Sequence, residues 1–268
     1  VFMEELRERF LDECDYEQEA RHQKLFYEKF KDTEAVVIPR VYEDYCTKKI
    51  LTTEWMEGMR FKHFKKVASD EEKNRAAEII WRMAFRSIFE FHYFNCDPHP
   101  GNYLFREDGK VVFLDFGCVK KLPKEMIEQW KTLVHAYFKS DRELFTQTLY
   151  QAGFIKSLQA EHIVDYYIDL YEFFWNPQAV TGNFRYSDKV VKESWDKIFA
   201  NNPLKYELSL PKDWTFLNRL QWGLWAVFAQ INAEFEHRDY IFNLIDLDPK
   251  QSYSHLKSRG KNASKRSA

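Results

Sequence analysis

The 268-residue chain lacks several features that would place it in common classes of protein. No run reaches about 18 apolar residues, so the sequence predicts no transmembrane helix, and it shows no signal-peptide pattern. The formal net charge is −2, which argues against the basic surface of a nucleic-acid-binding protein. The cysteines are few and form no C-x-x-C pair, which favours reduced thiols in a reducing compartment over a zinc site. They are Cys14, Cys46, Cys96 and Cys118.

Apolar and aromatic residues, by contrast, are abundant, at 45% and 18% of the chain. A chain of this length and composition can bury a sizeable core, and we predict one domain of two lobes. The second half, where helical periodicity prevails, contains 25 of the 47 aromatic residues. Packing between helices is the default interpretation of these residues, and a groove for a prenylated or lipidic ligand is the alternative.

The most informative stretch is residues 95–117, which read NCDPHPGNYLFREDGKVVFLDFG. Asp97 comes first, Asn102 follows five residues later, and Asp115 follows thirteen after that. Two short apolar runs flank the turn sequence Glu-Asp-Gly at 107–109, which is a hairpin signal. Because a hairpin brings its two ends together, we expect Asn102 and Asp115 to meet.

These three side chains suit metal-assisted phosphoryl transfer. Mg²⁺ prefers oxygen ligands and keeps several waters, so the Asn102 amide, the Asp115 carboxylate and nucleotide phosphates suffice to bind it. Asp97 is then available to orient a hydroxyl group or a water molecule, or to accept its proton. The stretch therefore predicts a magnesium site beside a catalytic aspartate.

The order Asp-x₄-Asn, hairpin, Asp-Phe-Gly resembles the catalytic loop and magnesium motif of protein kinases. More narrowly, CDPHPGN followed by FLDFG resembles the UbiB family of atypical kinase-like proteins. The resemblance implies an α+β, protein-kinase-like fold, with a partial small lobe (an αC-like helix plus antiparallel strands) and a mostly helical large lobe. It also implies ATP and Mg²⁺ as cofactors, and a Mg-dependent ATPase or a kinase of small molecules or lipids that supports quinone or lipid metabolism.

Residues 4–31 contain no Gly or Pro and predict one helix that carries an acidic cluster. Charge alone favours a solvated acidic face for this cluster. The resemblance implies more specific roles. Glu19 matches the catalytic αC glutamate that pairs with a strand lysine, and Glu13 and Asp15 match a regulatory E-x-D pair that faces the family's N-terminal extension.

Two apolar runs follow, Val36 to Ile38 and Lys49 to Trp55, and they predict an antiparallel pair of strands. By resemblance, the segment after the second strand is the hinge between the lobes, where the adenine ring binds. Thr53 then takes the gatekeeper position, and Glu54 and Met56 contact the nucleotide.

The remainder of the chain is predicted to be mostly helical. Ser69 and Glu72 form a capping box at the start of a long helix that leads to the catalytic loop, in which Asn95 replaces a common kinase histidine and can anchor the loop backbone. Its buried face comprises Ala76, Ile80, Met83, Ser87, Ile88 and Phe91, and further helices are expected at 124–139, 141–152, 160–174, 187–200 and 212–235.

The predicted domains are a partial small lobe at 1–58, a helical large lobe at 59–250 and a basic, disordered tail at 251–268 that can contact an anionic membrane. Residues before Glu19 contain no Gly-rich loop and no strand lysine. The resemblance therefore begins part-way through the small lobe, and we expect this chain alone to be incomplete for catalysis.

Nucleotide is the expected partner, with a prenyl-quinone or lipid precursor and biosynthetic proteins implied by the resemblance. The location implied is cytoplasmic, or peripheral to a bacterial or organellar membrane. Two alternatives remain open: a catalytically silent, kinase-like scaffold, and a phosphotransferase resembling aminoglycoside or choline kinases, which share an Asp-x₄-Asn loop.

Overall fold

The structure is a computed structural model that describes residues 15–175, 182–200, 202, 204, 207–209 and 211–258. The chain divides into two compact units. Unit 1 comprises Val1–Ser87, Tyr93–Lys121 and Leu220–Ala233, and unit 2 comprises Ile88–His92, Leu122–Arg219 and Glu234–Ala268.

The described elements, in chain order, are helices α1 to α9 and strands β1 to β8. They are α1 (Tyr16–Phe30), β1 (Val36–Val37), β2 (Met59–Arg60), α2 (Phe61–Val67), α3 (Asp70–Phe89), β3 (Tyr93–Asn95), β4 (Tyr103–Phe105), β5 (Val111–Phe113), β6 (Val119–Lys121), α4 (Lys124–Phe138), α5 (Arg142–Gln151), α6 (Glu161–Phe174), β7 (Asn183–Arg185), α7 (Asp188–Trp195, continued by a π-helical turn Asp196–Ala200), α8 (Lys212–Gln230), β8 (Glu234–Glu236) and α9 (Arg238–Leu244).

The predicted hairpin is present in unit 1 as the antiparallel pair β4 and β5. Tyr103 lies opposite Phe113, and Gly109 takes a φ of +77° in the turn, a conformation that glycine adopts without strain. This hairpin is the centre of a four-stranded sheet in the order β1-β5-β4-β2. Strands β3 and β6 form a separate antiparallel pair.

The predicted strand from Lys49 to Trp55 is not formed. This segment contributes only the bridges Val41↔Thr53 and Thr47↔Ile50, while β1 pairs in parallel with β5 instead. The side chains of Ile50 and Trp55 are 55% and 87% exposed. A strand is held by burying one apolar face, and this run of apolar residues has no such face in the described part of the chain.

Helix α1 begins at Asp15, whose side chain accepts a hydrogen bond from the Gln18 N–H at 3.0 Å. The sequence predicts that this helix begins at residue 4, but residues 1–14, including Glu13, lie outside the described residues. Phe26 and Phe30 on this helix are almost fully buried, and Phe26 packs against Phe116 with ring centroids 5.1 Å apart. These contacts fix α1 beside the Asp-Phe-Gly segment.

Helix α3 has the predicted capping box. The Ser69 Oγ accepts from the Glu72 N–H at 3.2 Å, and the Glu72 carboxylate accepts from the Ser69 N–H at 2.7 Å. The exposed Glu72 carboxylate has a lowered pKa because its charged form accepts hydrogen bonds from the Ser69 N–H and from the Ser69 hydroxyl group. The predicted buried face is confirmed for the five residues within the helix, which are Ala76, Ile80, Met83, Ser87 and Ile88.

Unit 2 is built from the aromatic helices of the second half. Trp130 on α4 contacts the rings of Phe89, Trp175 and Trp214 within this unit. Interhelical packing is therefore what these aromatic residues do in the described structure. No described helix meets the length and hydropathy needed to cross a membrane.

The structure differs from two predictions for the second half of the chain. Helix α8 ends at Gln230 instead of residue 235, because Asn232 adopts a φ of +51° and the Ala233 N–H donates back to the Phe228 carbonyl. The tail was predicted to be disordered, yet Leu256 is buried and its N–H donates to the Tyr137 carbonyl at 2.8 Å. Residues 259–268 lie outside the described part of the chain.

Candidate functional site

Asp97, Asn102 and Asp115 line one small cavity of about 30 Å³ in unit 1. Asn102 ends a 3₁₀ turn immediately before β4, and Asp115 lies two residues after β5. The Leu114 N–H donates to the Asn102 carbonyl at 3.0 Å, which extends the hairpin to its base. The other lining residues are Ile80, Met83, Ala84, Ser87, Asn95, Pro98, Tyr103, Phe113, Leu220 and Leu224.

The Asn102 side chain is oriented by Asp97. Its Nδ2 donates to the Asp97 carbonyl at 3.1 Å and approaches the Asp97 Oδ2 at 3.4 Å. Because the amide nitrogen is engaged, Oδ1 is the Asn102 atom left to act as a metal ligand. The predicted spacing therefore brings the catalytic candidate and the amide into direct contact.

The Asp115 carboxylate is held by its own loop. Its Oδ1 accepts from the Gly117 N–H at 2.9 Å, so Oδ2 is the oxygen that remains for a cation. One amide oxygen and one carboxylate oxygen fit Mg²⁺, which binds through one or two carboxylates plus substrate phosphates. The described residues contain no group of three or more His, Cys, Asp or Glu side chains able to hold a metal, so phosphates would have to complete this donor set.

Asn95 ties the loop that carries Asp97 to the Asp-Phe-Gly segment. Its Nδ2 donates to the Asp115 carbonyl at 2.6 Å, and its Oδ1 accepts from the Asp97 N–H at 3.1 Å. The predicted role of this amide as an anchor of the loop backbone is thereby confirmed. A single side chain fixes the main chain of both acids at once.

His99 shapes the turn after Asp97. Its Nδ1 accepts from the Gly101 N–H at 3.0 Å, and its carbonyl accepts from the Asn102 N–H at 3.0 Å. A Cβ on Gly101 would lie 2.9 Å from this Nδ1, so glycine permits the close approach. His99 therefore orders the loop that carries Asp97 and Asn102.

Glu19 reaches the same region from α1. Its Oε1 accepts from the Phe116 N–H at 3.4 Å. Burial raises the pKa of the Glu19 carboxyl, and the negative charge of Asp115 raises it further, while the Phe116 N–H acts in the opposite direction. The structure thus brings Glu19 beside the Asp-Phe-Gly segment, where a cation would relieve the repulsion between the Glu19 and Asp115 carboxylates.

The remaining predicted residues are not part of this cavity. Thr53 bridges to Val41, and Glu54 exchanges hydrogen bonds with Arg40, its N–H donating at 2.8 Å to the Arg40 carbonyl and its Oε2 accepting from the Arg40 N–H at 3.2 Å. Met56 is half-buried in the same segment. Asp15, predicted to be regulatory, serves in the described structure as the N-cap of α1.

The sequence prediction missed the contribution of α8. Leu220 and Leu224 line the cavity, and Gly223 packs so closely on the loop that an added Cβ would lie 2.2 Å from the Pro98 Cγ. The signal was an isolated glycine within a helical pattern, which often marks close packing. Tyr103 was also missed as a lining residue, and its pKa is raised by burial and by the charges of Asp97 and Asp115.

The chain is similar to known proteins of one family. A family model described as "ABC1 atypical kinase-like domain" matches residues 1–149. The chain is 29% identical over 227 residues to the atypical kinase COQ8, mitochondrial, of Saccharomyces cerevisiae, covering 82% of this chain and 44% of that protein. It is 32% identical over 128 residues to the chloroplastic protein ACTIVITY OF BC1 COMPLEX KINASE 3 of Arabidopsis thaliana, covering 47% of this chain and 18% of that protein.

A solved structure shares the fold. The structure of Rv3197 in complex with erythromycin, from Mycobacterium tuberculosis, superposes with a TM-score of 0.73 at 21% identity, covering 90% of this chain and 60% of that one. The chain spans less than half the length of the two curated relatives described above.

Proposed function

Because the chain belongs to the family of ABC1 atypical kinase-like domains, we propose that it binds Mg²⁺ and ATP and supports phosphoryl transfer through Asp97, Asn102 and Asp115. The resemblance to UbiB-type proteins is confirmed, and so is the α+β, kinase-like fold. The aminoglycoside- or choline-kinase-like alternative gains no support from these comparisons.

One observation carries the proposal, namely that the oxygen-bearing side chains of Asp97, Asn102 and Asp115 line a single cavity. Mg²⁺, when bound, would neutralise charge on the transferred phosphate. Asn102 Oδ1 and Asp115 Oδ2 would hold the metal, because the other polar atom of each side chain is already engaged. Asn95 keeps both loops in register while this happens.

Asp97 is the group that acts on the acceptor. Its backbone is fixed by Asn95, and its carboxylate lies within 3.4 Å of the Asn102 amide. We propose that this carboxylate orients a hydroxyl group or water molecule and takes its proton as the bond to phosphorus forms. A fixed carboxylate lowers the barrier chiefly by positioning, which is the main protein contribution in phosphoryl transfer.

Further residues enter the proposal through family membership. Glu19 would pair with a lysine that binds the phosphates, and Thr53, Glu54 and Met56 would contact the adenine. Glu13 and Asp15 would form the regulatory pair. The division into lobes at residues 58 and 250 belongs to the same proposal.

The proposed substrate is a small molecule or lipid of quinone or lipid metabolism. After Gly117 the chain passes through the short strand β6 and enters α4 at Lys124, which leaves no room for a long protein-docking activation loop. The relatives named above are mitochondrial and chloroplastic proteins, and we propose an organellar or bacterial setting, cytoplasmic or peripheral to a membrane.

A silent scaffold is the second candidate function. The observation that favours it is that, among the described residues, the Glu19 carboxyl group contacts the Phe116 N–H and is repelled by Asp115, with no lysine beside it. A scaffold would bind nucleotide without needing an acid at position 97.

Asp97→Asn separates the two candidates, because it is nearly isosteric and removes only the proton-accepting charge. We expect ATP affinity to change by no more than a few-fold and single-turnover hydrolysis to fall by about 10²-fold, the scale of a positioned acid–base group. Equal hydrolysis by both proteins would favour the scaffold, and joint loss of binding and hydrolysis would make Asp97 a structural or metal-binding residue. Glu107→Gln, at the far end of the hairpin, is the matched control and should change neither quantity.

A further inference from the structure

Cys96 and Cys118 lie opposite each other at the base of the site. Strands β3 and β6 are antiparallel, with Phe94 opposite Lys120 and Asn95 opposite Val119. The pairing continues one step further, since the Cys96 N–H donates to the Cys118 carbonyl at 2.7 Å. The two cysteines are therefore cross-strand neighbours although 22 positions separate them.

This placement suits a covalent link. Directly opposed residues of an antiparallel pair present their side chains on the same face, with Cα atoms about 4.5–5.5 Å apart. A disulfide joins residues whose Cα atoms are about 4.4–6.8 Å apart. The backbone therefore needs no large movement to join these two sulfur atoms.

The two thiols differ in exposure. Cys96 is fully buried, whereas Cys118 is half-buried and within reach of a small oxidant. Among the described residues Cys46, Cys96 and Cys118 are all present as thiols. One thiol is thus placed to react first, and its buried neighbour is placed to complete the reaction.

We propose that Cys96 and Cys118 form a reversible disulfide site that hydrogen peroxide oxidises. The Cys118 sulfur attacks a peroxide oxygen, the O–O bond breaks, and the departing hydroxide takes the thiol proton as water, leaving a sulfenic acid. The Cys96 sulfur then attacks the Cys118 sulfur, and the S–O bond breaks as a second water leaves with the Cys96 proton. Two thiols lose two electrons and two protons, and one peroxide becomes two waters.

A disulfide between Cys96 and Cys118 would connect two loops of the candidate site. Cys96 directly precedes Asp97, and Cys118 directly follows the Asp-Phe-Gly segment. A disulfide would join covalently the two loops that Asn95 now holds by hydrogen bonds. Oxidation of the two cysteines would thus fix the distance between these loops, and thiol reductants would reverse this.

The test is peptide mapping of the native 268-residue protein after mild peroxide treatment, with thiols blocked before digestion. We expect one cross-linked peptide pair containing Cys96 and Cys118, with the loss of two hydrogen atoms, and its disappearance after reduction. Cys118→Ser should abolish the link and leave Cys96 reduced. Cys96→Ser should leave a sulfenic acid on Cys118 that a dimedone probe traps. Cys46→Ser is the matched control and should retain the link.

A urea-unfolded sample oxidised in the same way shows which pairs form without the fold. The proposal is overturned if that sample cross-links while native Cys96 and Cys118 stay reduced. It is equally overturned if Cys118 in the native protein proceeds to sulfinic acid without linking to Cys96. None of these readouts involves nucleotide, so they stand apart from any test of phosphoryl transfer.

Discussion

Replacing Gly223 by alanine tests the packing of α8 on the loop that contains Pro98. A Cβ at this position would lie 2.2 Å from the Pro98 Cγ and 3.1 Å from its Cδ. Pro98 is buried, and its ring cannot rotate aside as a flexible side chain would. The backbone of the loop or of the helix must therefore move to admit one methyl group.

Two opposing free energies set the size of the effect. Glycine to alanine in a helix interior ordinarily raises the free energy of unfolding by roughly 1 kcal/mol. Overpacking a close contact costs about 1–3 kcal/mol, and a separation this short belongs at the upper end of that range. We therefore expect Gly223→Ala to lower the free energy of unfolding by roughly 2 kcal/mol, which reverses the usual sign.

A double-mutant cycle with Pro98→Ala isolates the contact. This change removes the Cγ and Cδ atoms and leaves Pro98 Cβ, which is 3.5 Å from the added methyl group and in ordinary contact. In the Pro98→Ala background, Gly223→Ala should stabilise the protein by roughly 1 kcal/mol, its ordinary helix effect. The coupling between the two changes should then be about 3 kcal/mol, far above the error of additivity.

Urea unfolding followed by circular dichroism measures all four proteins of the cycle. The reasoning is refuted if Gly223→Ala stabilises the parent, or if its effect is the same with and without the Pro98 ring.

Two further predictions concern Glu19 and turnover. Burial and Asp115 raise the pKa of Glu19 in the folded protein, so the folded state binds the proton more tightly and stability falls as pH rises above the ordinary value of 4.5. Glu19→Gln should therefore raise the melting temperature at neutral pH, and this increase should become smaller as the pH approaches 4.5. An increase in melting temperature that does not depend on pH would contradict this prediction. The 268-residue chain should hydrolyse ATP well below about 1 s⁻¹, the low end for kinases, because among the described residues the Glu19 carboxyl group contacts the Phe116 N–H and not a phosphate-binding lysine. Rapid Mg-dependent turnover would show that such an ion pair is dispensable.

The proximity of the three cavity-lining polar residues could be predicted from the sequence, because the features that determine it lie close together in the chain. Asp97, Asn102 and Asp115 lie within one 19-residue stretch, and the turn at Gly109 dictates which of them meet. The capping box at Ser69 is equally local, and its hydrogen bonds are as expected. Short-range rules suffice wherever both partners lie in one hairpin or one helical turn.

The misses have a common physical cause, since they depend on distant partners. Strand β1 pairs in parallel with β5, so that Val36 lies opposite Val111, and the residues near Val36 form no pattern that predicts this pairing. Lys49 to Trp55 has a strand-like composition but lacks a buried face, and burial is decided by the rest of the fold. The contact between Gly223 and Pro98 spans 125 positions, and the placement of Glu19 was available only through family resemblance.

Titrating ATP into the parent and into Asp115→Asn, with Mg²⁺ and with a chelator, tests the central claim most directly. We expect Mg²⁺ to strengthen ATP binding to the parent and this gain to fall at least about tenfold in Asp115→Asn, since even outer-shell metal partners contribute that much. The variant should remain folded, and Asp108→Asn, an exposed aspartate in the turn of the same hairpin, should retain the gain. An equal Mg-dependent gain in parent and Asp115→Asn, or none in the parent, would contradict the assignment of Asp115 as the magnesium ligand.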